Sequence, residues 1–72
     1  MYQYAKKFRE LREEKGLSQL ELAKRLGTSH QNINRWESGK ATPNIEFCAR
    51  LADFYDISLD SLIGRDYPKK NW

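Results

Sequence analysis

Seventy-two residues, 39% hydrophobic and 32% charged, allow one small domain whose core contributes only roughly 3 to 5 kcal/mol net, and the balance is that of a folded chain rather than a disordered one. One cysteine excludes an intrachain disulfide, no Cys/His cluster has zinc spacing, and no apolar run approaches the roughly 18 residues of a membrane span, so the chain reads as a cytoplasmic protein without metal. The net charge of +3 is uneven: residues 1–40 hold nine Lys/Arg against five Asp/Glu, a net of +4, and residues 41–72 hold four against five, a net of −1.

The pattern predicts helices throughout, because no segment alternates with period two. Tyr4 or Ala5, Phe8 and Leu11 share one face of a first helix expected over Tyr2 to Lys15, where a lysine precedes Gly16 as a stop. "SQLE" then carries a capping box: Ser18 accepts from the amide of Glu21, and Glu21 reaches back. Helix 2 runs to Leu26 with Leu22, Ala23 and Leu26 as its stripe, and Gly27 ends it. Thr28 and Ser29 offer caps for a third helix over residues 30–38, Ser29 being the better placed. Pro43-Asn44 opens a fourth, with Ile45, Cys48, Leu51, Ala52 and Tyr55 at helical spacing. Ser58 caps a short fifth helix that turns Leu59, Leu62 and Ile63 inward and closes at Gly64, leaving residues 65–72, "RDYPKKNW", as a tail. Cys48 is expected as a small buried hydrophobe.

The stretch "GTSHQNINRWESGK" is the unusual one. A helix that only packs has no need of four amide or imidazole side chains together with an arginine and a lysine. Ile33 and Trp36 suit a core, and with them inward a rotation of about 100° per residue turns Gln31 and Arg35 outward together. His30 and Asn32 flank that pair, and Asn34 and Ser38 lie at its edge. Amides match the N6/N7 edge of adenine and arginine the O6/N7 edge of guanine in the major groove of DNA. Two short helices joined by a glycine and two capping residues form a helix-turn-helix, in which Ala23 lets the third helix cross closely.

The segments "LSQLELAKRLGTS", "INRWESGK" followed by Pro43, and "DISLDSLI" resemble the Cro/repressor-type helix-turn-helix domain of phage repressors and related bacterial regulators, over Leu11 to Ile63. The resemblance implies an all-α, five-helix, lambda repressor-like DNA-binding domain, here residues 1–64, with the third helix in the major groove of operator DNA. It places His30, Gln31, Asn32 and Arg35 at bases and Gln19 and Lys40 at phosphates, with Asn34 and Thr28 expected on phosphates as well. It also implies that Arg12 pairs with Glu37; Glu37 lies on the inward side with Ile33, where a lone carboxylate would be costly.

The functional expectation is a transcriptional regulator, a repressor acting as a homodimer on a pseudo-palindromic site, with no catalytic step, no cofactor, no metal and no small-molecule ligand. The dimer contact is expected around helix 5 and the tail, where the charge is not committed to DNA. A protein-interaction or antitoxin-like module on the same fold is the alternative, and it calls for exposed apolar residues on the third helix. One His, one Cys and too little chain to enclose a cleft argue against an enzyme.

Overall fold

A computed structural model describes residues 3–64, and five helices follow one another: α1 Tyr4–Glu14, α2 Gln19–Leu26, α3 His30–Ser38, α4 Ile45–Tyr55 and α5 Leu59–Leu62. No strand occurs among the described residues. Their boundaries follow local chemistry. The Ser18 hydroxyl accepts from the Glu21 amide at 3.0 Å while the Glu21 carboxylate accepts from the Ser18 amide at 2.8 Å, so two otherwise orphan donors are satisfied. The backbone and hydroxyl of Ser18 together hold the Glu21 carboxyl below the usual carboxylate range. Ser29, Asn44 and Ser58 cap α3, α4 and α5 in the same way, each accepting from the amide three residues on.

Between α2 and α3 the chain turns at Gly27, whose φ of 76° lies in the left-handed region, where an L side chain would be strained. Asp56 takes the same role after α4 at φ 56° without being a glycine, so that stop carried no glycine signal. Helix 1 begins at Tyr4 rather than Tyr2, since Gln3 stands outside it as the N-cap; Tyr2 and the tail, including Tyr67 and Trp72, lie outside the described residues.

The core is one cluster of Phe8, Leu22, Ala23, Leu26, Ile33, Trp36, Leu51, Ala52, Tyr55 and Leu62. Helix α3 packs against both α1 and α2, and α4 closes the bottom of the cluster with α5. Trp36 is a core residue: its ring lies 5.5 Å from that of Phe47. Arg50 joins α4 to the end of α2, donating to the Leu26 carbonyl at 3.1 Å and lying over the Phe47 ring.

Three expectations change. Ile45 is 78% exposed and Leu59 43% exposed, although both sit at helical spacing with buried residues. Each is the first residue of its helix, and because side chains lean toward the helix N-terminus, each is carried off the end of the element beyond the core. Cys48 is half-buried rather than buried, packed against the cluster with its thiol facing the Pro43 carbonyl; burial pushes that thiol up.

Ala23, 1% exposed, is buried on α2, against which α3 packs. Ala23→Leu is expected to destabilise the domain by about 1 to 3 kcal/mol through overpacking, a fall in Tm of about 4 to 8 °C for each kcal/mol. A thermal melt superimposable on the parent's would show that this site has room to spare.

Candidate nucleic-acid interface

The interface is anchored from inside. Arg12, on α1, grips Glu37, on α3, with two parallel bonds, Nε to Oε2 at 2.7 Å and Nη2 to Oε1 at 2.9 Å. Its remaining nitrogen, Nη1, donates to the Leu17 carbonyl in the α1–α2 connection at 2.8 Å. The two side chains are 13% and 3% exposed, so the pair is largely withdrawn from water, and the bond to Glu37 raises the Arg12 pKa above its ordinary value. Burying such charges is favourable only when their remaining hydrogen-bonding groups are filled. A third donor does this: Gln19 Nε2 reaches Glu37 Oε1 at 3.2 Å. The expected Arg12–Glu37 pair is therefore present, and Gln19 joins it.

From this anchor the outward face of α3 is set. His30, Gln31, Asn34 and Arg35 are exposed, and with Gln19 and Lys40 they line one open groove. Four of these come from α3, Gln19 from the first turn of α2 and Lys40 from just beyond the α3 C-cap, where its amide donates to the Arg35 carbonyl at 3.0 Å. Asn34 Nδ2 contacts Gln19 Oε1 at 3.5 Å.

Two of the residues expected here stand apart. Asn32 and Thr28 do not line the groove; both are half-buried, and Asn32 Nδ2 donates to Thr28 Oγ1 at 2.9 Å. The i, i+4 spacing brings Asn32 back over the turn, as a helical side chain leaning toward its N-terminus must. Sequence reasoning did not foresee that Gln19 would be shared between Glu37 and Asn34, since the partners are 18 and 15 residues away; nor did it foresee Arg9, whose Nη2 contacts the Glu37 carbonyl at 3.5 Å.

Chemically the groove offers amide, imidazole, guanidinium and ammonium groups and no carboxylate among its lining residues. Such a set suits a polyanion whose edges carry mixed donors and acceptors. A helix-turn-helix family model matches residues 8–62. The chain belongs to the Cro/C1-type helix-turn-helix family. It is 36% identical over 61 residues to the HTH-type transcriptional activator BcrR of Enterococcus faecalis, covering 85% of this chain and 30% of that protein. It is 31% identical over 67 residues to the HTH-type transcriptional regulator ImmR of Bacillus subtilis strain 168, covering 92% and 53%. The chain thus spans 30% of one of these curated relatives and about half of the other. Its fold is similar to that of the P22 c2 repressor protein, solved in complex with a synthetic operator, with a TM-score of 0.83 at 27% identity over 92% of this chain and all of that one.

Behind the ion pair lies Tyr55, 8% exposed, whose hydroxyl has no hydrogen-bond partner among the described residues. Burial, reinforced by the Glu37 charge and opposed by Arg12, pushes this phenol up to about 12. A group raised from its unfolded value of about 10 contributes stability that is complete below pH about 10 and is lost as the pH rises toward 12. Tyr55→Phe is expected to be neutral or slightly stabilising at neutral pH, since it removes an unsatisfied hydroxyl, and to flatten the alkaline loss in denaturant titrations. Parallel pH profiles for the two proteins would contradict this.

Glu37→Ala leaves Arg12 with a lone, mostly buried charge, and is expected to cost about 3 to 5 kcal/mol. A Tm within a degree of the parent's would mean that the pair contributes nothing to the fold.

Proposed function

We propose that this domain binds double-stranded DNA sequence-specifically in the cytoplasm and acts as a transcriptional regulator, with α3 in the major groove. The observation that carries the reading is the convergence of Gln19, His30, Gln31, Asn34, Arg35 and Lys40 on one open groove. His30, Gln31 and Arg35 face base edges, Arg35 pairing with guanine and Gln31 with adenine by their donor and acceptor patterns. Gln19, at the start of α2, and Lys40, just past α3, hold phosphates, and Thr28 does so from the α2–α3 turn. Asn32, engaged with Thr28, has one amide hydrogen and its oxygen left for a base at the flank.

A protein-binding role is disfavoured by where the apolar surface lies. Among the described residues, the large exposed hydrophobic ones are Leu20, Ile45 and Leu59, and none is on α3. No helix among the described residues is long and apolar enough to cross a membrane.

Repression requires nothing beyond occupying a promoter, and it is the output that binding alone delivers. A single copy presents few base-reading side chains, each discriminating by about 1 to 3 kcal/mol, too little to stand out among genomic competitors. Two copies on a pseudo-palindrome supply the difference, with half-site centres about 10 base pairs apart. Helix α5 and the following tail are the proposed contact between copies.

Duplexes selected from a random pool by the parent protein test this. On the selected duplex, Arg35→Ala should lose about 1 to 3 kcal/mol and relax preference at one base pair. Lys40→Ala should weaken binding to every duplex alike and lower the salt slope by about one unit. Failure of the parent to enrich any sequence, or an unchanged preference profile in Arg35→Ala, would overturn the assignment.

A further inference from the structure

We propose that Asn34 reads a base, and that the buried Glu37 carboxylate sets the direction in which it does so, acting through Gln19. The proposal rests on the DNA-binding reading above and goes beyond it, because Asn34 at the edge of the α3 face was expected on a phosphate.

Amide side chains present an oxygen and a nitrogen that are nearly alike in shape, and their polarity is set by what they meet. Here the chain of contacts begins with a group whose polarity is not negotiable. Glu37, bound by Arg12 through both oxygens, is an anion and accepts only. Gln19 must therefore turn its Nε2 toward Glu37, at 3.2 Å, and its Oε1 away. That oxygen faces Asn34, so Asn34 must turn Nδ2 toward it, across a longer 3.5 Å contact. Asn34 is exposed and lines the groove together with Gln19 and Arg35. One of its amide hydrogens is directed at Gln19, and its Oδ1 and second N–H are left for an outside partner.

Adenine offers that pair a match, N6–H₂ for the oxygen and N7 for the N–H, whereas guanine presents O6 and N7, two acceptors, and opposes Oδ1. Asn34 thus prefers adenine over guanine. Gln19 is a positioning residue for this readout, and its second Nε2 hydrogen remains available to a phosphate. Asn32, half-buried against Thr28, has no comparable path to the anion.

The test uses the full chain and the duplex that the parent selects from a random pool, compared with duplexes in which one adenine·thymine pair at a time becomes guanine·cytosine. Asn34→Ala should bring the affinity ratio at one such pair from about tenfold or more to near one, leave the salt slope unchanged, and affect a different pair from Arg35→Ala. Gln19→Met should reduce the ratio at that same pair, and Gln19→Met/Asn34→Ala should reduce it no further than Asn34→Ala. A lost phosphate contact lowers affinity for both duplexes alike and leaves the ratio unmoved, which separates positioning from simple binding. Both residues are at the surface end of the relay, and circular dichroism verifies that the variants fold. Uniform weakening by Asn34→Ala with a salt slope smaller by about one unit would put Asn34 on a phosphate and overturn the proposal. So would a full adenine preference retained in Gln19→Met. If the parent enriches no sequence at all, the DNA-binding reading itself fails and takes this proposal with it, an outcome distinct from enrichment with Asn34→Ala unchanged.

Discussion

The bidentate bond between Arg12 and Glu37 is the constraint around which this small domain is arranged. It crosses from the first helix to the third, and the same guanidinium holds the Leu17 carbonyl that leads into α2. Helix α1, the α1–α2 connection and the distant α3 are thereby set relative to one another by one side chain. An apolar contact in this place would fix distance but not rotation. A planar guanidinium against a planar carboxylate fixes both, and rotation of α3 decides which residues face outward.

Rotation matters because α3 is amphipathic over only nine residues. Ile33 and Trp36 are 1% and 5% exposed, and Glu37 beside them is committed to Arg12. What α3 leaves exposed to solvent is the sector of His30, Gln31, Asn34 and Arg35, with Ser38 at its end. The capped first turn of α2 brings Gln19 alongside, and the left-handed Gly39 at φ 80° bends the chain so that Lys40 returns to the same groove. Packing, capping and the ion pair thus converge on one polar surface, and the excess of positive charge in residues 1–40 favours approach by a polyanion.

Much of this was legible in the sequence for physical reasons. Ser18 with Glu21, Gly27 with Ser29, and Asn44 announced helix ends, because capping is local chemistry with fixed spacing. The inward phase of Ile33, Trp36 and Glu37 fixed the outward phase of Gln31 and Arg35. Other features were not legible. Ile45 and Leu59 fit the helical period yet point into solvent, since periodicity does not say which turn of a helix overhangs the core. Asp56 closes α4 in a conformation that usually favours glycine. The partners of Asn32, Asn34 and Gln19 depend on how two helices are set side by side, which no local pattern encodes: of two asparagines two residues apart, one folds back onto Thr28 and the other enters the groove.

The central claim is that the groove between the α2 N-terminus and α3 is the surface that meets DNA. Titrating isotope-labelled protein with the duplex it selects, and following backbone and side-chain amide resonances, tests this most directly. The account predicts the largest shifts at Gln19, His30, Gln31, Asn34, Arg35 and Lys40, with Leu51, Ala52 and Tyr55 of α4 nearly still. Shifts concentrated on α4 and α5, with the side-chain amides of Gln19, Gln31 and Asn34 unmoved at saturation, would contradict it.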